Sequence, residues 1–174
     1  MDVHNYQAQE HLLDGRPLII RAIRAGDRQI LLDEFALLRK QDVFQRFFHV
    51  KKSLTTEELS FLTEPDFAKH VALVAAVRDR DSDHPAGVGR FITDPDDPQV
   101  ADIALTVVKR FRRLGIATLL LHHLAGIARK MGYAAFTGDV LASNQAMMDV
   151  LVNSGLPMQV VSAEGISRIR LTLT

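Results

Sequence analysis

Apolar and β-branched residues recur in short runs along the chain, each bounded by glycine, proline or charged turn residues. The run Leu18–Arg24, for example, lies between Pro17 and Gly26. Short apolar runs between turn residues are typical of β-strands. The pattern predicts seven strands, at Leu18–Arg24, His70–Val77, Gly87–Thr93, Val100–Val108, Ala134–Leu141, Met158–Ser162 and Ser167–Thr174.

Apolar residues spaced three and four positions apart predict amphipathic helices elsewhere. The longest is Arg112–Met131, where Ile116, Leu120 and Leu124 begin one apolar stripe. Shorter helices are predicted after Asp27, from Thr55 to about Leu62, and at Asn144–Ser154. Thr55 and Glu58 form a capping box, and Gly155 suits a left-handed helix end. The segment with Phe44, Phe47 and Phe48 suits a further short helix or a packed loop.

The order of these elements predicts a mixed α+β domain with an antiparallel meander at its centre. Its 174 residues are close to the length of one typical domain. We therefore expect a single domain over residues 1–174, with residues 1–16 as an N-terminal extension.

Composition excludes several classes of function. The 21 basic and 21 acidic residues balance, which argues against nucleic-acid binding by bulk electrostatics. The absence of cysteine excludes disulfides, cysteine-ligated zinc and a thiol nucleophile. His122 and His123 are neighbours on a predicted helix, so they face different directions and cannot share a metal. The polar start and short apolar windows predict a cytoplasmic protein without a membrane partner.

The stretch that points to chemistry is a basic turn between a strand and the longest helix. Its core is Arg112-Arg113-Leu114-Gly115-Ile116-Ala117. A helix that begins at glycine leaves its first amides unpaired at the positive end of the helix dipole, which suits a phosphate or pyrophosphate. The sequence has neither a P-loop nor a G-x-G-x-x-G motif after a strand. The alternative is a solvated basic loop in which Gly115 only allows the helix to start.

The same stretch, as Arg112-x-x-Gly115-x-Ala117, resembles the acyl-CoA signature of the GNAT N-acetyltransferase superfamily. The resemblance extends from about Leu12 to Thr174 and is closest to the GNAT domain of bacterial Pat-type protein lysine acetyltransferases. The narrower likeness is carried by Leu13-Asp14-Gly15, Arg46-Phe47-Phe48, His70–Ala75, Ala101–Ala104 and Val140–Met147. It implies a three-layer fold whose mixed, mostly antiparallel sheet splays apart between its fourth and fifth predicted strands.

The resemblance also implies how acetyl-CoA is held. Backbone groups of Leu105, Thr106 and Val107 are expected to pair with the pantetheine arm as an added strand would. The signature residue Arg112 leads into the amides of Arg113, Leu114, Gly115, Ile116, Ala117 and Thr118, which are expected to hold the pyrophosphate. Asn144, which opens the next helix, is expected to bond the pantetheine near the thioester.

The implied reaction is direct attack of an amine on the thioester within a ternary complex. A lysine amine is protonated at neutral pH, so the site needs a group that accepts its proton. Asp102 and Asp139 stand where relatives commonly carry glutamate, and the shorter side chain favours a relay through water. Asp102 is our first choice as base. Leu151 occupies a position where many GNAT enzymes have a tyrosine that protonates the thiolate.

We therefore expect an acetyl-CoA-dependent N-acetyltransferase without a metal. The acceptor implied by the resemblance is a protein lysine, for example on an acyl-CoA synthetase, and a homodimer is compatible with it. Two alternatives stay open: a small-molecule amine N-acetyltransferase, and a non-catalytic GNAT module that senses acyl-CoA.

Overall fold

Eight strands form one sheet in the computed structural model, which describes residues 1–29, 31–32 and 55–174. The predicted segment with Phe44, Phe47 and Phe48 lies outside the described residues. The strands are β1 (Gln7–His11), β2 (Pro17–Ala22), β3 (His70–Asp79), β4 (Ser82–Thr93), β5 (Val100–Val107), β6 (Ala135–Leu141), β7 (Met158–Ala163) and β8 (Ile166–Thr172). Their order across the sheet is β1-β2-β3-β4-β5-β6-β8-β7.

The pairing of β5 with β6 differs from every other pairing in this sheet. All other neighbours run antiparallel, whereas β5 and β6 run parallel. They share only three residue pairs, the last of which joins Asp102 to Thr137. Beyond that pair the two strands separate while each stays paired to its other neighbour. The predicted mixed, mostly antiparallel sheet that splays at this point is confirmed.

Three helices flank the sheet within the described residues: α1 (Thr56–Thr63), α2 (Ile116–Lys130) and α3 (Gln145–Val152). The predicted capping box is confirmed at α1, where the Thr55 hydroxyl accepts from the Glu58 amide at 3.1 Å. Gly155 follows α3 with a φ of 79°, as predicted. Both features can be predicted from the sequence because a cap depends only on neighbouring residues.

The two faces of the sheet carry different cores. The larger core lies under α2, whose buried residues Leu120 and Leu124 pack against β4. Gly87 and Gly89 on β4 permit this close approach, since a Cβ on Gly89 would lie 2.8 Å from Leu124. A smaller core on the opposite face includes Leu59 of α1.

A strand that the sequence analysis did not predict extends the sheet at its N-terminal edge. Residues 1–16 were expected to be an extension, but β1 lies within them and pairs with β2. Side chains also bind this segment to α2: His123 contacts the Tyr6 hydroxyl at 2.5 Å and the Glu10 carboxylate at 2.8 Å. The sequence of β1 is almost entirely polar, so it lacks the apolar run on which the strand prediction relied.

A buried polar pair joins α1 to the sheet. Arg90 on β4 is only 4% exposed, and its guanidinium donates to the Leu62 carbonyl at 2.9 Å and contacts His70 Nε2 at 3.0 Å. A guanidinium can only donate, so Nε2 of His70 must be the unprotonated acceptor. Burial, and then the charge of Arg90, lower the pKa of His70 to about 4. The imidazole is therefore neutral at pH 7.

The close packing of β4 against its neighbours predicts that Gly87→Ala destabilises the fold. A Cβ at this position would lie 2.9 Å from the Thr106 carbonyl, a backbone atom that cannot rotate away. We expect a loss of about 1–3 kcal/mol in the free energy of unfolding, measured by urea denaturation. The control is Gly26→Ala, where no atom lies within 4 Å and stability should be unchanged. Equal stability of the two variants would contradict this packing.

The neutral His70 predicts a loss of stability in mild acid. In the unfolded chain the pKa of His70 returns to about 6.5. Between this pH and about 4, the unfolded state therefore binds a proton that the folded state does not bind. The free energy of unfolding should therefore fall from pH 6.5 toward pH 4, with His70 contributing at most about 3 kcal/mol. His70→Gln keeps an acceptor for Arg90 but does not titrate, so urea denaturation should show a shallower decline. If the free energy of unfolding fell equally with pH in both proteins, His70 would not be the buried neutral group that causes the decline.

Candidate active site

The loop between β5 and α2 leaves a row of backbone amides unpaired. A 3₁₀ turn at Lys109–Phe111 follows β5, and the chain then turns through left-handed conformations at Arg113 (φ 63°) and Gly115 (φ 90°). These conformations explain why α2 begins at Ile116 and not at Arg112 as predicted, since a right-handed helix cannot include them. None of the amides from residue 113 to 118 donates to another group within the described residues.

Two contacts hold this loop in position. The Leu13 amide donates to the Leu114 carbonyl at 3.0 Å, and the Leu13 side chain lies 3.3 Å from the Cβ position of Gly115. On the other side, Arg112 Nε donates to the Val107 carbonyl at 3.2 Å. Leu13-Asp14-Gly15 was singled out in the sequence only as part of the resemblance. In the structure, the turn after β1 supports the loop directly.

The electrostatics of the loop favour an anion. The first turn of α2 carries no acidic residue, so nothing in that turn opposes the positive end of its dipole. Lys109, Arg110, Arg112 and Arg113 add positive charge within a few residues of the free amides. Unpaired amides and a helix dipole together form the arrangement that binds phosphate groups in proteins.

The gap between β5 and β6 offers backbone groups from alternate residues only. The Ile103 carbonyl points at β6, 3.3 Å from the Cβ position of Gly138, whereas the Thr106 carbonyl points at Gly87 on β4. By the alternation of a strand, Leu105 and Val107 face the gap with Ile103. The expectation that Leu105, Thr106 and Val107 all offer backbone groups is therefore corrected for Thr106. The Val107 carbonyl already accepts from Arg112, which leaves Leu105 with both backbone groups directed at the gap.

Asp102 and Asp139 lie on the same face of the sheet, opposite α2. Asp102 is exposed and is the last β5 residue paired with β6 before the strands separate. Asp139 lies on β6, two residues beyond Thr137, which is the strand partner of Asp102. It forms an ion pair with Arg168 at 3.1 Å. The structure therefore brings both predicted carboxylates to one face beside the gap, with Asp102 at the point where the strands separate and Asp139 beyond it. The Asp139 carboxylate is held by its ion pair with Arg168 on β8.

Thr137 is a site residue that the sequence analysis missed. It is 8% exposed, and its hydroxyl is the one buried side-chain polar atom of the described residues without a hydrogen-bond partner. Leaving a buried hydroxyl unpaired costs about 1–3 kcal/mol. Its position opposite Asp102 depends on strand register, and nothing in the local sequence around a single threonine could have revealed it.

Asn144 and Leu151 lie on α3. The Asn144 side-chain oxygen accepts from the Met147 amide at 3.2 Å, which caps the helix. Its amide group donates to no other group of the described residues, so it can still reach a ligand while the oxygen caps α3. Leu151 is buried in the main core and presents no proton donor.

Residues 1–29, 31–32 and 55–174 contain neither a metal-binding cluster nor a membrane-spanning helix. No cluster of three or more histidine, aspartate or glutamate side chains there could hold a metal ion. No helix in these ranges is both long enough and apolar enough to span a bilayer.

Comparisons with known proteins agree with this geometry. Residues 38–155 match the family described as Acetyltransferase (GNAT) family. Acetyltransferase PA5475 of Pseudomonas aeruginosa is 28% identical over 141 residues, which cover 81% of this chain and 75% of that protein. Acetyltransferase Pat of Mycolicibacterium smegmatis is 26% identical over 148 residues, covering 81% of this chain but 41% of that protein.

A solved structure is similar over nearly the whole chain. The GNAT domain of S. lividans PAT superposes with a TM-score of 0.83 at 24% sequence identity, covering 95% of this chain and 96% of that one. It establishes the three-layer fold that the resemblance implied. Since the family match spans well over half of the sequence, the chain belongs to the acetyltransferase (GNAT) family, as an N-acetyltransferase that uses acetyl-CoA as its acetyl donor.

Proposed function

We propose that this protein transfers the acetyl group of acetyl-CoA to the side-chain amine of a protein lysine. The observation that carries the proposal is the line from the free amides at the start of α2, along the open edge of β5, to Asp102. From Val107 to Asp102 this edge spans about 17 Å, at about 3.3 Å per residue. A diphosphate held at the loop can therefore direct an extended pantetheine arm along the gap toward the exposed carboxylate.

The loop and the gap have separate tasks in this mechanism. The amides from Arg113 to Thr118 bind the diphosphate, and the backbone groups of Leu105 hold the arm in the gap. The Asn144 amide group is directed to the pantetheine near the thioester. Because these groups are mostly main chain, binding depends on the conformation of the loop more than on any single side chain.

Acetyl transfer then requires a neutral amine beside the thioester. The amine nitrogen attacks the carbonyl carbon, the new C–N bond forms, and the C–S bond breaks to release the thiolate of coenzyme A. Asp102 accepts the proton that the amine must lose, through a water because aspartate is one methylene shorter than glutamate. Leu151 supplies no proton, so solvent protonates the thiolate.

The lysine acceptor is supported by the Pat-type resemblance and by the similarity to two Pat proteins. The exposed Asp102 carboxylate, at the point where β5 and β6 separate, is also accessible to a side chain presented by a large partner. An acyl-CoA synthetase is the first protein acceptor to test. Polyamines, aminoglycosides and free amino acids, assayed in parallel, would reveal a small-molecule acceptor instead.

The loop conformation predicts that Gly115→Ala weakens acetyl-CoA binding at least tenfold. A side chain at φ 90° is strained, and relieving the strain would turn the amides away from the diphosphate. Isothermal titration with acetyl-CoA measures the effect. The matched control is Gly132→Ala at the other end of α2, where φ is 93° and no atom lies within 4 Å of the Cβ position. Equal affinity in both variants would reject the loop as the diphosphate site, and a wild-type protein that does not bind acetyl-CoA would reject the proposal.

The assignment of the base predicts different effects for the two aspartates. Asp102→Asn should lower kcat at least about 100-fold while leaving acetyl-CoA affinity unchanged, since only proton transfer is lost. Asp139→Asn should lower kcat less than about fivefold, because Asp139 does not accept the proton in this proposal. Release of the coenzyme A thiol measures both rates. The reverse order would make Asp139 the base, and tight binding without transfer to any acceptor would indicate a sensor.

A further inference from the structure

One aromatic ring lies exposed near the proposed acceptor side of Asp102. Phe61 on α1 is 55% exposed, more than any other phenylalanine or tyrosine of the described residues. Its ring lies 4.8 Å from the His70 ring, centroid to centroid, at an angle of 36°. Arg90 fixes this end of α1 by its bond to the Leu62 carbonyl. Phe61 is therefore held in place although it covers little of the core.

Strand register places His70, the residue beside this ring, in one row with Asp102. His70 pairs with Ile92, and Ile92 pairs with Asp102, so the three side chains form one row on the face opposite α2. Two strand spacings separate His70 from Asp102, a distance of about 10 Å. We call Phe61, His70 and Ile92 the apolar shelf. It leads from α1 to the carboxylate.

Two buried polar side chains, Arg90 and His70, lie beneath the exposed part of the shelf. Arg90 is buried and directs its guanidinium to the Leu62 carbonyl and to His70 Nε2. His70 is neutral, since burial and Arg90 lower its pKa to about 4. The exposed part of the shelf is therefore the Phe61 ring and the partly exposed Ile92 side chain, which lie beside the buried, neutral His70 ring. The next residue in the row is the Asp102 carboxylate. Such a surface suits an alkyl chain that ends in an ammonium group.

We infer that the apolar shelf binds the methylene chain of the acceptor and directs its terminal amine to Asp102. This inference rests on the proposed acetyl transfer and specifies its substrate class as primary amines at the end of an unbranched alkyl chain. Lysine carries four methylenes between its backbone and its amine, and such stems lie readily along apolar surfaces. Phe61 is a specificity-determining residue in this arrangement. It has no role in the proton transfer.

The test is the dependence of rate on chain length. The acceptors are one peptide in three forms, whose central residue is lysine, ornithine or diaminobutyrate. Burying one methylene contributes about 0.8 kcal/mol, so kcat/KM of the wild type should fall about fourfold for each methylene removed. In Phe61→Ala the fall should be less than twofold per methylene. Its KM for the lysine peptide should rise at least fivefold, with kcat and acetyl-CoA affinity unchanged.

Two further variants separate the shelf from a general loss of apolar surface or of structure. Phe61→Leu retains an apolar side chain and should restore most of the chain-length dependence. Val161→Ala removes an apolar side chain that is 72% exposed on the distant edge strand β7, and should match the wild type.

An active Phe61→Ala enzyme that keeps the fourfold dependence would overturn the shelf and leave acetyl transfer intact. A wild type that binds acetyl-CoA but acetylates none of the peptides would overturn the lysine proposal and the shelf with it. Acetylation of free small amines by that same protein would then identify the other acceptor class.

Discussion

β5 and β6 pair through three residues and then separate, and the arrangement of the site depends on that separation. Beyond the last pair, the backbone groups that each strand directs at the other have no partner strand, as at the edge of a sheet. The backbone N–H and C=O of Leu105 point into the gap for this reason. Asp102 lies at the point of separation because it belongs to the last pair. A ligand arm that enters the gap as an added strand is therefore led to the carboxylate by the sheet itself.

The two ends of β5 carry opposite charge although the whole chain is neutral. Asp94, Asp96 and Asp97 precede the strand, and the basic turn from Lys109 to Arg113 follows it. The basic end coincides with the free amides of α2, where an anionic cofactor gains most from the helix dipole. Asp102 lies toward the acidic end, where an ammonium group would be attracted. Net charge conceals this separation, which matters for a protein that must bind an anion and a cation together.

The N-terminal segment shows how a poorly patterned stretch can still support the site. β1 has no apolar run, yet it extends the sheet, and the turn after it donates an amide to Leu114 in the loop. His123 joins α2 to the same segment through Tyr6 and Glu10. The loop that holds the free amides is therefore supported by residues about 100 positions earlier in the chain. Their contribution comes from tertiary contacts that periodicity cannot reveal.

The sequence by itself determined most of the strands, the long helix, the cap at Thr55, the left-handed Gly155 after α3, and the basic turn before α2. Each of these depends on neighbouring residues, whose spacing is visible in the chain. Tertiary structure alone decided that Thr106 faces β4, that Asp139 pairs with Arg168, and that Thr137 and Ile92 flank Asp102. Those facts follow from strand register. Such contacts join residues that are distant in the chain, so they cannot be predicted from the local sequence pattern.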